Sequence, residues 1–429
     1  MSSTRALGGV VVAAVLATLA APTPAAAQSL TLEQAVALAV ARNERTQAAE
    51  QRRAAASARV AKARSFFFPD ITVVGSYTRR AHETTRNVGG TEVTIQSANA
   101  LQASATLALT IFDARSLPLY RQAKLERDAA DSSARDTRRL VAYEAADAFM
   151  QTLAEEQVRA ATQHRLTFAR QRLVDATARQ QAQLVSSNDV TRAQLEVATA
   201  ERDDVRAATA VRRARLELGF LLGRVVDGAL VAPATAAPVT GDVRSAKARR
   251  WDLAAAIQRT AALRESAREP ARRFIPSLGL VGQYRVTNEA GLSGNNTDWS
   301  VSLNLVWQVW DGGERAADGR ERRALTRIAE LDAELLGRRV GLELDSAVLA
   351  VENGQAAVQL ATTAVDVARK NADETAELYR QGLTTSAVVA DAGISLVEAE
   401  IELARERYAL AVAELDRRHA LGLDPTETP

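Results

Sequence analysis

The sequence contains no cysteine among its 429 residues, and only two methionines and three histidines. The lack of cysteine excludes a disulfide framework and a lipid-modified N-terminal cysteine. Metal sites draw mainly on cysteine, histidine and carboxylates, and the histidines His82, His164 and His419 lie far apart in the sequence. Composition therefore disfavours a metal site, and any attachment to a membrane is expected to come from the fold itself.

The sequence also has little excess of either sign of charge and few aromatic residues. The 54 Lys and Arg residues nearly balance the 52 Asp and Glu residues, which gives a formal net charge of +2, and aromatic residues make up 4% of the chain. Balanced charge disfavours a nucleic-acid partner, because such a partner requires a basic face. The abundance of Ala, Arg, Glu, Leu and Gln favours long helices.

One apolar run stands near the N-terminus. Residues 10–21 follow Arg5 and precede the small residues 25–27, which is typical of a secretory signal peptide with cleavage before Gln28. A membrane anchor is the alternative, but the run is shorter than the ~18 to 20 apolar residues that a spanning helix needs. We therefore predict that residues 1–27 are a signal peptide and that any membrane span of the mature chain consists of strands.

A strand pattern occurs twice in the chain. Residues 68–77 (FPDITVVGSY) return 207 positions later as residues 275–284 (IPSLGLVGQY). Each copy precedes a second strand that ends in an aromatic residue and an aspartate, Phe112-Asp113 or Trp310-Asp311. We therefore predict two structural repeats, residues 28–222 and 250–422. A linker at 223–249, whose packing the sequence leaves open, joins them, and residues 423–429 form a C-terminal tail.

Both predicted hairpins, at about residues 70–112 and 276–310, alternate apolar and polar side chains. Strands of about 9 to 11 residues with this alternation are typical of a transmembrane β-barrel. The polar segment 79–99 is predicted to be a long loop, and Trp307 and Val309 are placed on the apolar face of the last strand.

Four strands cannot close a membrane barrel, since the smallest have about eight, and open sheet edges are not tolerated in lipid. Several copies are therefore expected to share one barrel. Aromatic residues along the strands and at their ends are predicted to lie at the membrane interfaces, with ordinary core packing as the alternative. These are Phe68, Tyr77, Phe112, Tyr284, Trp307 and Trp310.

Long helical patterns follow each hairpin. Residues 116–183 and 314–381 each predict a helix of about 100 Å at ~1.5 Å per residue, followed by a short polar turn and a shorter returning helix. Residues 32–68 are predicted to form one helix that Pro69 ends, stacked end to end with helix 188–222 beside the first long helix. Pro270 is expected to kink or interrupt the approach to the second hairpin.

Residues 378–385 (LYRQGLTT), followed by Ala390-Asp391-Ala392 and ending at Ala420-Leu421-Gly422, resemble the second coiled-coil turn and returning helix of the TolC-like outer-membrane efflux protein family. Pro69 and Pro276 at the helix-to-strand junctions are also similar to that family. The resemblance implies a mainly α, internally duplicated fold with a transmembrane β-barrel. Three copies would form a twelve-stranded barrel in the outer membrane of a Gram-negative bacterium, continued by an α-helical periplasmic tunnel.

The implied function is a passive exit duct of a tripartite efflux or type I secretion system. The implied partners are two further copies of the chain, outer-membrane lipid, a periplasmic adaptor (membrane fusion) protein and an inner-membrane RND, ABC or MFS pump. No nucleic-acid partner and no cofactor are expected.

The resemblance also implies a gate at the tunnel mouth. Family members often carry two acidic residues on the returning helix of the second half, whereas here Asp391 matches one position and Val388 stands at the other. We predict a single ring of aspartates near Thr384 that makes a weak cation filter, with Asp391 as an ordinary solvated residue the alternative. The helix-turn tips are predicted to contact the adaptor, through Leu184, Ser186, Ser187, Gly382, Leu383, Thr385 and Ser386.

The first tip differs from the second in its turn residue. Gln183 stands where the second half has Gly382, a residue suited to left-handed backbone geometry. Asp189, near the same turn, is a candidate cap of the returning helix.

Four arginines near the outer loops are either solvated charges or contacts for lipopolysaccharide phosphates. They are Arg79, Arg80, Arg86 and Arg285.

No converging set of polar groups predicts catalysis, so the chain is not expected to be an enzyme. Met150 alone among the methionines follows the predicted signal peptide, which disfavours copper or silver export and leaves drug efflux and protein secretion open. The alternative of another class is a periplasmic coiled-coil structural protein without a pore. Such a protein would explain the helices but would not need two hairpins with lipid-like faces.

Overall fold

The computed structural model describes residues 29–233, 239–290 and 293–426. The predicted signal peptide therefore lies outside the described residues. Within them the chain is mainly helical. The helices are α1 (Leu32–Arg42), α2 (Glu44–Arg64), α3 (Ser116–Gln181), α4 (Ser187–Leu222), α5 (Val243–Arg249), α6 (Trp251–Ser266), α7 (Glu269–Arg272), α8 (Glu314–Arg380) and α9 (Ser386–Ala420). The strands are β1 (Asp70–Arg79), β2 (Thr84–Val88), β3 (Thr91–Gln96), β4 (Asn99–Phe112), β5 (Ser277–Thr287) and β6 (Thr297–Val306).

The first helical segment is interrupted, so the prediction of one helix over 32–68 is wrong about continuity. Asn43 has extended backbone (φ −64°, ψ 132°) between α1 and α2, and its side-chain oxygen accepts a hydrogen bond from the Arg45 amide at 2.9 Å. A side chain that satisfies a free amide in this way begins a new helix. The segment ends in a 3₁₀ turn at Ser65–Phe67, directly before Phe68 and Pro69, as predicted.

The two predicted hairpins join into one antiparallel sheet with the order β1-β4-β5-β6. The register pairs Tyr77 with Leu101 in the first half and Tyr284 with Trp299 in the second, and β4 pairs with β5 across the repeats. All residues of β1 and β6 are exposed. Among the described residues of a single chain, no strand pairs with the outer edge of β1 or of β6.

The polar segment between β1 and β4 is not an irregular loop, which corrects the prediction. It contains the β2–β3 hairpin, which turns at Gly89 and Gly90 with φ of +62° and +91°. Two consecutive positive φ angles at glycines are typical of a tight hairpin turn. The neighbouring Thr and Val residues favour strands because their branched side chains fit a pleated surface.

The last strand is shorter than predicted. It ends at Val306, so Trp307, Val309 and Trp310 lie beyond it. The indole Nε1 of Trp307 donates to the carbonyl oxygen of Phe274 at 3.1 Å. A side-chain hydrogen bond thus ties the chain at this point to the residues before β5, and the sheet pairing does not continue.

The long helices match the prediction. α3 has 66 residues and α8 has 67, about 100 Å each. α1, α2 and α4 pack along α3, and α9 packs along α8. Buried alanines recur every seven residues on α4, at 193, 200, 207 and 214, which is a coiled-coil period with small residues at the seam. Pro270 lies in the first turn of α7, and the helix is interrupted before it, as predicted.

The segment between the repeats packs against the helices. Leu30 and Leu230 form a parallel bridge, and Val226 joins the buried cluster around Phe149 of α3. Val239 and Ala246 belong to a second cluster with Val340 of α8. This segment therefore covers the middle of the helical body. No described helix is long and apolar enough to cross a membrane.

Candidate functional site at the helix-turn tips

The two helix turns have the same backbone conformation. Gln183 and Gly382 have φ of +59° and +77°, and the amide of the next residue donates to a carbonyl five positions back at 2.9 Å in both turns. This pattern is a helix end closed by a left-handed residue. Leu184 and Leu383 follow and are 74% and 70% exposed. Gln183 thus adopts the geometry that glycine adopts without strain.

The returning helices begin at the predicted tip residues. Ser186 is the N-cap of α4, and its amide and hydroxyl both donate to Asp189 Oδ2, at 3.2 and 3.1 Å. Thr385 is the N-cap of α9, so Ser187 and Ser386 are the first helical residues. The capping role of Asp189 is thereby confirmed.

Asp189 also joins the two tips. Its Oδ1 accepts a hydrogen bond of 2.8 Å from the Ser386 hydroxyl, 197 positions away in sequence. Arg172 Nη2 donates to the carbonyl oxygen of Ser386 at 2.7 Å. The bond from Ser386, followed by those from Ser186, lowers the pKa of Asp189. We call the contacts among Asp189, Arg172 and Ser386 the tip clasp.

Three arginines on one face of α3 contact residues of neighbouring helices. Arg165, Arg172 and Arg179 are spaced by seven residues and therefore share one helix face. The first pairs with Asp203 and the second with Glu196, each at 2.8 Å. The guanidinium of Arg179 lies 4.4 Å from the centroid of the Tyr379 ring and donates to the Tyr379 carbonyl oxygen at 3.2 Å. Sequence analysis missed this row, although its heptad spacing was visible.

A cavity of about 320 Å³ lies beside the clasp, between the tips of the two helical hairpins. Asp391 lines it together with Asp189, Arg172 and Arg192. Asp391 is exposed, and its carboxylate makes no hydrogen bond or ion pair with the described residues. Thr384 is half-buried and Val388 is exposed. The neighbouring arginines add positive charge beside the predicted aspartate ring.

The predicted interfacial aromatics are all exposed, which is evidence against ordinary core packing in a single chain. They fall into two groups at opposite ends of the sheet. Tyr77 and Tyr284 are near the end away from the helices, where Trp299 pairs with Tyr284. Sequence analysis did not single out Trp299. The group near the helices consists of Phe68, Phe112, Trp307 and Trp310.

A buried charged cluster lies near the start of α6. Arg250 is 5% exposed and pairs with Asp252 and Glu343, each at 2.7 Å. Burial and the charge of Asp252 raise the pKa of Asp136 on α3. Burial and Arg250 lower the pKa of His419. The described residues contain no group of three or more potential ligands that could hold a metal ion.

Comparisons with known proteins identify the fold and the family of this chain. A comparison of the sequence with curated proteins gives no significant match. The same fold occurs in the outer-membrane channel OprN, with a TM-score of 0.79, 21% identity, and coverage of 91% of this chain and 89% of that chain. It also occurs in the CmeC outer membrane channel of Campylobacter jejuni, with a TM-score of 0.79, 15% identity, and coverage of 92% and 87%.

A third solved structure with this fold is the open state of the MtrE outer membrane channel of Neisseria gonorrhoeae. Its TM-score is 0.78 at 15% identity, with coverage of 92% of this chain and 89% of that chain. The sequence itself matches the family described as outer membrane efflux protein over residues 35–224 and 243–423. The match includes both repeats and most of the chain. The chain therefore belongs to the outer membrane efflux protein family, a family of outer-membrane channels and not of enzymes.

Proposed function

We propose that three copies of this chain share one twelve-stranded barrel and one helical tunnel, and that this trimer is the passive exit duct of a tripartite export system. The observation that carries the proposal is the open sheet. β1 and β6 have free edges and exposed faces. Unpaired backbone groups at a sheet edge are not tolerated in lipid, so β6 of one copy would pair with β1 of the next.

An exposed apolar stripe on α8 supports the same assembly. Ile328, Leu335, Leu342 and Leu349 recur every seven residues and are exposed. At ~100° per residue they lie opposite the buried face of α8 that includes Val340. A heptad stripe of this kind is normally buried against another helix. The next copy in the trimer would cover it.

The two aromatic groups support the placement in a membrane. Phe68 and Tyr77 lie nine residues apart, which is about 30 Å along a strand at ~3.3 Å per residue. With a strand tilt of ~40° the separation is about 23 Å, close to the ~25 Å apolar band of outer-membrane barrels. Aromatic belts at both interfaces have this spacing.

The tips would form the periplasmic mouth of the duct. Leu184 and Leu383 project from them and provide apolar contacts for a periplasmic adaptor, and the tip clasp would hold the mouth closed. Asp391 would form one ring of three carboxylates that attracts cations weakly. Transport energy would come from an inner-membrane pump of the RND, ABC or MFS class, because the duct has no catalytic role.

The native mass of the detergent-extracted protein tests the assembly. We expect three times the mass of the mature chain. A stable monomer that stays in solution without detergent would contradict the shared barrel and favour the coiled-coil protein without a pore. Leu335→Glu should weaken the trimer because it places a charge in the covered stripe. Gln355→Glu, about 120° around α8 from Leu349, is the matched control and should leave the trimer intact.

A further inference from the structure

Four arginines lie toward the end of the sheet that is remote from the helices, and the structure separates them. Arg80 pairs with Glu289 and donates to the Ser97 carbonyl oxygen at 3.0 Å. Arg285 alternates with the apolar residues of β5 and approaches Asp298 at 3.5 Å. Arg86 is on β2, outside the four-stranded sheet. None of these three lies on the apolar face of the sheet.

Arg79 differs from them in its position. Side chains two residues apart on a strand share a face, so Arg79 shares the apolar face of β1 with Ile71, Val73 and Tyr77. It is the last residue of β1 and is exposed. It therefore stands about 7 Å beyond Tyr77, at ~3.3 Å per residue.

The Arg79 side chain is held in place by its neighbours. Asn99 is its direct partner across the ladder, and Asn99 Oδ1 accepts hydrogen bonds from Arg79 Nη1 and from the Tyr77 hydroxyl, the latter at 2.9 Å. No described carboxylate pairs with Arg79. One nitrogen is thus fixed while Nε and Nη2 remain available as donors.

We propose that Arg79, oriented by Asn99 and Tyr77, binds a phosphate group on the headgroup of an outer-leaflet lipid. A guanidinium offers a planar pair of donors that match two phosphate oxygens. Arg79 lies beyond Tyr77 on the face of the sheet that meets lipid, and this position corresponds to the headgroup region of the membrane. The inference rests on the proposed function, because that function sets the sheet in the membrane with its apolar face outward.

Lipid retention measured by native mass spectrometry of the intact trimer tests the site. The probes are phosphorylated lipid A, the same lipid without its phosphates, and phosphatidylcholine. We expect up to three molecules of phosphorylated lipid A per trimer and about tenfold weaker retention of the dephosphorylated form, since a charge-assisted pair is worth roughly 1.4 kcal/mol or more. Equal retention of the two forms by the unmodified trimer would overturn the proposal without any variant.

Variants locate the phosphate contact. Arg79→Gln should remove the preference for the phosphorylated lipid, and Arg79→Lys should restore part of it because charge remains while the paired donors are lost. Arg86→Gln, an exposed arginine outside the sheet, is the control and should behave as the unmodified protein. Preference unchanged in Arg79→Gln would overturn the site, and displacement of the lipid by millimolar inorganic phosphate would overturn the lipid as its occupant.

The same samples separate this inference from the proposed function. A trimer that conducts in bilayers but shows no phosphate preference contradicts the lipid site alone. A protein that neither forms trimers nor conducts contradicts the shared barrel, and the lipid site with it.

Discussion

The tip clasp gives the sharpest prediction, through the substitution Ser386→Ala. It removes the hydroxyl that donates to Asp189 Oδ1 at 2.8 Å and leaves the backbone carbonyl that Arg172 contacts. A hydrogen bond to a charged group contributes about 1.5 to 3 kcal/mol, which we reduce to ~1 kcal/mol because the tips are solvated. Loss of this hydrogen bond in all three copies of the trimer would therefore cost ~3 kcal/mol. If the three copies open together, this is about a hundredfold change in the ratio of open to closed channels.

Single-channel recording in planar bilayers measures this ratio as the fraction of time spent in the conducting state. Ser187→Ala is the matched control, because Ser187 is the first residue of α4 and its side chain makes no hydrogen bond with the described residues. We expect a large rise in open time for Ser386→Ala and none for the control. Equal open times in Ser386→Ala and the unmodified channel would refute the clasp as a closing contact.

The pH dependence of the same recordings has a defined sign. Asp189 has a lowered pKa in the clasped state, chiefly because of Ser386, so the open state binds protons more readily. The clasp is complete above the ordinary aspartate pKa of ~3.9 and is lost as the pH falls through the lowered value. Acidification below pH ~4 should open the unmodified channel, and it should change Ser386→Ala less. Closure on acidification would contradict this assignment.

Three further predictions concern stability, measured by thermal or denaturant unfolding of the trimer. Gln183→Gly should stabilise the folded protein by about 1 kcal/mol, because glycine adopts the positive φ of this position without strain. Gly382→Gln should destabilise it by a similar amount. No atom lies within 4 Å of the Cβ that this substitution adds, so the cost is backbone strain alone. Asp136→Asn should stabilise at pH 7, where the ionised carboxyl is disfavoured by burial, and the gain should vanish once acid protonates Asp136. Phe149→Ala should cost about 3 to 5 kcal/mol because the ring is fully buried, whereas Phe168→Ala on the same helix, where the ring is 64% exposed, should cost much less.

Local patterns explain why much of the fold was predictable. Alternation over ten residues specifies a strand, and heptad spacing specifies a long helix, because each depends only on which side chains share a face. The errors were also local. At Asn43 a side-chain cap divides a helix, and at Gly89-Gly90 a tight turn converts a polar loop into a hairpin. These features depend on two or three residues, which a window long enough to detect periodicity averages out.

The tip was located by its turn residues, but its contacts were not. Leu184 and Leu383 stand at exposed turns, as predicted, because a short polar segment between two helical patterns must be a turn. No pattern of residues indicated the distance between the two turns. The bond from Ser386 to Asp189 depends on how the second helical hairpin packs beside the first, which is a property of the whole α3, α8 and α9 assembly.

The order of residues was enough to predict the duplication, the long helices, the two hairpins and the need for strands to be shared among copies, since periodicity, repeat offset and strand number depend on nothing else. Which distant groups meet depends on how the helices and strands pack. This packing pairs β4 with β5, places Arg172 against the first residue of α9, and leaves Arg79 with no carboxylate partner among the described residues while Arg80 binds Glu289. The physical reason is that hydrogen bonds form only at about 3 Å, and only the packing of complete helices and strands brings residues two hundred positions apart within that range.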